Sequence, residues 1–128
     1  MVEEVNLRTP VGQEESKALR VGDTVYFSGE FLFCRDKAHS RLLEFARQQR
    51  PIPVRMKGVP IYHSGPVVRG HDHSWKIIAA GPTTSFRMEE YEAEILRYYR
   101  PQIVIGKGGM GKRTLRALVD TGGAYAVF

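Results

Sequence analysis

Cysteine is nearly missing from this chain of 128 residues: Cys34 is the only one. One thiol excludes an internal disulfide, and it cannot alone hold a structural zinc or an iron–sulfur cluster. Long apolar runs are missing too, and none nears the roughly 18 residues that a membrane-spanning helix needs. Blocks of like charge are absent. The net charge is +5, yet no Lys/Arg run exceeds two residues, and Glu89, Glu90, Glu92 and Glu94 stand beside Arg97 and Arg100. That dispersion argues against a nucleic-acid surface and suits a small anionic substrate or an acidic partner subunit. The opening Met1-Val2-Glu3-Glu4-Val5 is acidic and has no apolar core of a secretory signal, which points to the cytoplasm. What remains is an ordinary globular composition, 42% apolar and 26% charged, in a length that suits a single domain with little core to spare.

The apolar pattern predicts a mixed α/β domain. Val2 to Leu7 alternates weakly and reads as a first strand. Thr24 to Phe33 is rich in β-branched and aromatic residues and reads as a second, with Gly29 marking a bulge or a close backbone approach. Asp36 can N-cap a helix whose apolar spacing runs through Ala38, Leu42, Leu43 and Phe45-Ala46 to about Gln49. Val59 to Ser64 is a short strand, and Trp75 to Ala80 reads as a buried one. Met88 to Tyr99 is an amphipathic helix facing inward through Ile95, Leu96 and Tyr99, and Pro101 stops it. Gln102 to Gly106 is a strand, Gly106 to Gly111 a loop, Arg113 to Asp120 a helix closed by Gly122-Gly123, and Ala124 to Phe128 a last strand. Strand, helix, strand, helix, strand is the order of right-handed βαβ units with a parallel sheet. The apolar run Tyr125-Ala126-Val127-Phe128 closes the chain, so the expectation is a domain of residues 1–128 truncated at its C-terminus.

Four groups of residues carry chemistry. Thr83-Thr84-x-x-Arg87 follows a strand and opens a helix, where backbone N–H groups, hydroxyls and a guanidinium could hold an anion; a plain helix cap with a surface arginine is the other reading. Gly106-Lys107-Gly108-Gly109-Met110-Gly111-Lys112 satisfies G-x-G-x-x-G and G-x-x-x-x-G-K. Arg113 stands where a phosphate-binding loop needs Ser or Thr. Thr114 comes one place late, a rotation of about 100°. Only 14 residues follow, too few for a ribose-binding acid or a magnesium-binding Asp. A glycine loop holding one useful lysine, Lys107, is the better reading. Arg35 lies at a strand end, well placed to fork onto a carboxylate. Asp36 reads as a cap. His39, one turn on, could shuttle protons or could be a surface histidine that bonds Asp36, and Cys34 reads as a buried small apolar residue. His71-Asp72-His73 invites a metal, but adjacent residues alternate sides and no further ligand is near, so a solvated loop with no metal is expected.

Taken in order, Leu19-x-Val21-Gly22-Asp23, Ser28-Gly29, Arg35-Asp36-x-Ala38-His39, Tyr62-x-Ser64-Gly65-Pro66, Ala80-Gly81-Pro82-Thr83-Thr84-x-x-Arg87-Met88 and Gly106-Lys107-Gly108 resemble the β subunit, or C-terminal domain, of the class I iron–sulfur hydro-lyases acting on fumarate and tartrate. The resemblance covers about residues 7 to 128 and implies a swivelling β/β/α domain with mixed and parallel sheet. It implies that Arg35, Arg87 and Lys107 neutralise the carboxylates of a small dicarboxylate, with Thr84 beside them. It implies that Thr83 is the base for the C–H proton, its hydroxyl stabilised by nearby cations. Asp36 and His39 match the motif without an assigned role. A four-iron cluster would be held by cysteines of an α subunit, so this chain is expected to work as part of a hetero-oligomer, hydrating fumarate to malate or dehydrating L-tartrate. Phe86 departs from the family, which often has a small residue there, and the family's domain runs on beyond residue 128.

Overall fold

The computed structural model describes residues 3–128, leaving out the side chain of His71. Two strands open the chain: β1 (Glu4–Arg8) and, after a short helix α1 (Gln13–Lys17), β2 (Thr24–Ser28), paired in parallel as a sheet of their own. The expected long strand from Thr24 to Phe33 breaks at Gly29, whose φ of +116° turns the chain out of the first sheet. Beyond the break, β3 (Leu32–Phe33) joins a four-stranded parallel sheet in the order β3-β4-β7-β8, with β4 at Ile61–Tyr62, β7 at Ile103–Gly106 and β8 at Ala124–Val127. The helices are α2 (Asp36–Arg47), α3 (Glu89–Tyr99) and α4 (Lys112–Thr121).

Strand alternation divides this central sheet between two cores. Tyr62, Ile103 and Ile105 face β1 and β2, packing on Leu7, Val5, Val25 and Phe27. Val104 faces the other way, onto Ala93 and Leu96 of α3 and Ala117 and Leu118 of α4, while Ile61 meets Ile95, Cys34 and Met56. A two-stranded sheet, a parallel sheet and a helical layer therefore stack as β/β/α. The helices turn their apolar stripes inward at the expected spacing: Leu43 and Ala46 of α2, and Ala93, Ile95 and Leu96 of α3. No helix among the described residues is long and apolar enough to cross a membrane.

Three elements differ from expectation. Trp75 to Ala80 is not a buried strand. It forms β6 (Ser74–Ala79), paired antiparallel with an unforeseen β5 (Val67–His71) in a hairpin that joins neither other sheet. All of β6 is exposed, and Trp75, 73% exposed, lays its ring across Gly70 on the opposite strand. β-Branched and aromatic residues signal a strand but do not say which layer will cover it. In consequence β6-α3-β7 is not a βαβ unit within one sheet, whereas β7-α4-β8 is, as is the earlier β3-α2-β4. Asp36 is the first residue of α2 rather than its cap; Arg35 holds the cap position with no side-chain cap bond. Asp72 and His73 form the exposed hairpin turn, as the solvated-loop reading expected, whereas the side chain of His71 lies outside the described residues.

Candidate active site

The carboxyl ends of parallel strands in an open α/β sheet are where loops converge and ligands bind. Here β3 runs into Cys34 and Arg35, β4 into His63, Ser64 and Gly65, and β7 into Lys107. The Pro82–Arg87 segment is drawn to the same edge by main-chain bonds. Thr83 N–H donates to the His63 carbonyl at 2.7 Å, Ser85 N–H donates to the Lys107 carbonyl at 3.1 Å, and Thr84 makes a parallel bridge with Lys107. Arg35 lays its side chain across Gly65, where a Cβ would come within 2.7 Å of Arg35 Cδ. Arg87 reaches the start of α2, its guanidinium 2.8 Å from Asp36 Oδ2. Six residues singled out in the sequence, Arg35, Asp36, Thr83, Thr84, Arg87 and Lys107, thus meet at one sheet edge.

Arg35, Thr84, Arg87 and Lys107 are exposed, so the arrangement is an open cationic face rather than a closed pocket. A cavity of about 470 Å³ beside β1 and α1 is lined by residues such as Val5, Leu7, Ala18 and Leu19 and by none of these groups. Thr84 sits at the cap position of a single 3-10 turn (Ser85–Met88) without a side-chain cap bond, so the plain-cap reading of the threonines does not hold. Two buried oxygens beside the cationic residues lack a partner, Asp36 Oδ1 and Ser64 Oγ.

His39 differs most from its reading as a surface histidine bonded to Asp36. It is fully buried, and its Nε2 lies 2.9 Å from Glu92 Oε2. Glu92, which the sequence presents as one of a dispersed acidic series, is fully buried as well, and its Oε1 meets His63 Nε2 at 2.5 Å. On the far side of each ring, His39 Nδ1 lies 2.8 Å from the Arg35 carbonyl and 3.0 Å from Cys34 Sγ, and His63 Nδ1 lies 2.7 Å from Ser85 Oγ. Ser85 Oγ in turn accepts Lys107 N–H at 2.9 Å. Burial alone would discharge these groups. Against it, the facing Glu92 carboxylate holds the His39 imidazole above its ordinary pKa, and the imidazoles hold the Glu92 carboxyl below its own. Cys34 is buried, as expected, and packs against Ile61 and Ile95.

The Gly106–Gly111 loop does not present a vacant helix terminus. Glu89 at the start of α3 accepts from Gly111 N–H at 2.8 Å, Arg113 N–H at 3.2 Å and Thr114 Oγ1–H at 2.6 Å. Burial works against the charge, but these bonds prevail and hold its carboxyl below the usual range. A carboxylate therefore already occupies the place where a phosphate would bind the α4 N-terminus. With a single buried cysteine, the chain's own residues also do not fit an iron–sulfur cluster, which needs several thiolates.

An α/β layer with this cationic strand-end face is the frame in which known proteins can be compared. The family described as Fumarase C-terminus matches residues 1–127. The chain is 44% identical over 108 residues, 84% of its length, to the L(+)-tartrate dehydratase subunit beta of Escherichia coli K12. It is 39% identical over 122 residues, 94% of its length, to a putative fumarate hydratase class I of Geobacillus stearothermophilus, of which it covers 23%. To a putative L(+)-tartrate dehydratase subunit beta of Methanocaldococcus jannaschii it is 35% identical over 113 residues, 88% of its length and 58% of that protein's. The chain belongs to the fumarase C-terminus family. It spans about half the length of the tartrate dehydratase β subunits it matches, 52% for the Escherichia coli protein.

Proposed function

We propose that this chain is the dicarboxylate-binding, proton-moving half of a hydro-lyase acting on a four-carbon substrate of the fumarate–malate type. The observation that carries this reading is the gathering of Arg35, Arg87 and Lys107 with Thr83 and Thr84 at one strand-end edge. A dianion needs cations at both ends, and guanidinium forks fix a carboxylate in orientation as well as in place. Arg35 at the cap position of α2 and Arg87, which reaches Asp36 in its first turn, are suited to the carboxylates. Lys107, paired through the backbone with Thr84, supplies the positive field that a threonine hydroxyl needs to take a proton from carbon. Thr83 Oγ1 is the proton acceptor in this reading and Thr84 a substrate ligand.

The iron–sulfur cluster that the family likeness implies would belong to a partner chain, and no step at the hydroxyl-bearing carbon is assigned to residues of this one. A partner also suits the exposure of the face, which would exclude water only when covered. A second reading, dehydration of L-tartrate, is favoured by the higher identity to the tartrate dehydratase β subunit, 44% against 39%. Reconstitution with a cluster-bearing partner and assay on fumarate, malate and tartrate separates the two. In that complex Thr83→Ala is expected to lower kcat by about 10²-fold or more with the cluster intact. Unchanged turnover would remove Thr83 from the chemistry.

A further inference from the structure

The Glu92 cluster joins three elements that border the proposed site. His39 is on α2, His63 follows β4, and Glu92 is on α3, yet their bonds run outward to the Arg35 carbonyl, to Ser85 and to the Lys107 amide. The bonding determines the protons. The Arg35 carbonyl can only accept, so His39 Nδ1 carries a proton. The Glu92 carboxylate accepts on Oε2, so His39 Nε2 carries one as well, and the ring is an imidazolium. The Glu92 carboxylate accepts on Oε1 as well, so we assign a proton to His63 Nε2, which leaves His63 Nδ1 to accept the Ser85 hydroxyl while Ser85 Oγ accepts Lys107 N–H; Tyr125 Oη also bonds Ser85. A directed chain results: Lys107 N–H, Ser85 O–H, His63 Nε2–H, Glu92 carboxylate, with the His39 imidazolium and the Arg35 carbonyl on the other side.

Such a chain could relay protons, brace the site or hold a metal. The ends argue against relay: the Lys107 amide and the Arg35 carbonyl exchange no protons with a substrate, the Cys34 thiol beside His39 is buried, and Tyr125, which also bonds Ser85, gives its own proton to the Gly108 carbonyl at 2.7 Å. The spacing argues against a metal. Nitrogen and oxygen ligands about 2.0–2.2 Å from a tetrahedral ion stand about 3.3 Å apart, whereas the nitrogen–oxygen separations here are 2.9 and 2.5 Å, those of hydrogen bonds.

We propose that Glu92, with His39, His63 and Ser85, is a buried positioning brace that sets the separation of Arg35 from Thr83 and Lys107, and so matches the site to the length of its dicarboxylate. The proposal rests on the function read above, but its geometry does not. His39 locks the chain at Arg35. The carbonyl of His63 takes the Thr83 N–H at 2.7 Å, and Ser85 ties down the Lys107 amide from the same ring's far side. One carboxylate, full in both oxygens, makes the two anchorages a single unit. Its two arms are separable: the His63–Ser85 arm serves the proton-moving residues, and the His39 arm serves the carboxylate-gripping Arg35.

The test has a spectroscopic and a kinetic part. In the ¹⁵N-labelled full chain, His39 is expected to show two protonated ring nitrogens at pH 8, and His63 a protonated Nε2 with a bare Nδ1. In the assembled complex, Ser85→Ala leaves the Glu92–His39 pair whole and is expected to lower kcat about tenfold or more while KM stays within about twofold. His39→Gln is expected to act mainly on KM. A His39 ring with a single proton at pH 8 would overturn the brace. So would a Ser85→Ala complex that melts earlier but turns over normally, or stoichiometric zinc that a chelator removes with a change at both rings. If the wild-type complex hydrates none of the three substrates, the functional reading falls, and the ring spectra still decide the brace.

Discussion

Replacing Gly106 with alanine tests the packing at the centre of the site. Gly106 ends β7 with its carbonyl accepting Phe128 N–H at 3.0 Å. A Cβ there would overlap Ser85 Oγ and come within 2.8 Å of Tyr125 Oη and 2.9 Å of His63 Nδ1. Ser85 is fully buried and cannot yield without leaving both His63 Nδ1 and the Lys107 amide. Overpacking of a tight core costs about 1–3 kcal/mol, and stranding a buried donor about 1–3 kcal/mol more. About 2–6 kcal/mol follows, and at about 4 °C per kcal/mol for a domain of this size the melting temperature should fall by about 8–24 °C. Gly109→Ala is the control, since its Cβ would meet nothing within 4 Å, and it should stay within about 0.5 kcal/mol of wild type. Thermal unfolding followed by circular dichroism reads both. In a Ser85→Ala background the Gly106→Ala penalty should shrink by about 1 kcal/mol or more, because the overlapped oxygen is gone. Equal melting of the two glycine variants, or a penalty indifferent to Ser85, would refute the reasoning.

The buried pair also shapes the dependence of stability on pH. Glu92 is held below its ordinary 4.5, so its contribution is present above about 4.5 and is lost as pH falls further. His39 is held above its ordinary 6.5, so its contribution is present below about 6.5 and is lost as pH rises past it. Urea unfolding across pH should show a maximum between those values, and Glu92→Gln should flatten both limbs; a wild-type profile level from pH 6.5 to 9 would contradict this. Asp36→Asn removes the carboxylate that holds Arg87 at 2.8 Å across a largely exposed pair. Stability should change by less than about 1 kcal/mol, while succinate should bind more tightly because it no longer competes for the guanidinium. Calorimetric titration showing weaker binding would count against Arg87 as a carboxylate ligand.

The exposed half of the site was easier to read from sequence than its support. Arg35, Thr83, Arg87 and Lys107 stand in ordered motifs at strand ends, where small polar and charged residues do not serve packing. Ile103-Val104-Ile105 and the α2 stripe were legible because apolar periodicity reports burial directly. Glu92 was not, since an acidic residue among Glu89, Glu90 and Glu94 resembles a solvated helix face. Its register was a usable signal: Met88, Glu92, Ile95 and Tyr99 fall on one stripe, which makes Glu92 the anomalous member of an inward face. Ile61-Tyr62-His63-Ser64 is buried from end to end and carries its own warning in the histidine. The hairpin was misplaced because which strand pairs with which is a tertiary matter that residue preference leaves open.

The buried pair also constrains how the sequence can drift. His39 and His63 lie 53 and 29 residues from Glu92, yet changing one alone strands a charge or a ring nitrogen that no water reaches. Removing one partner of a buried charge pair costs about 3–5 kcal/mol, a large share of the 5–15 kcal/mol by which a domain is stable. Replacing all three by apolar residues of like volume would cost far less. Substitutions at these three distant positions should therefore travel together, and a relative lacking one of them should lack the others.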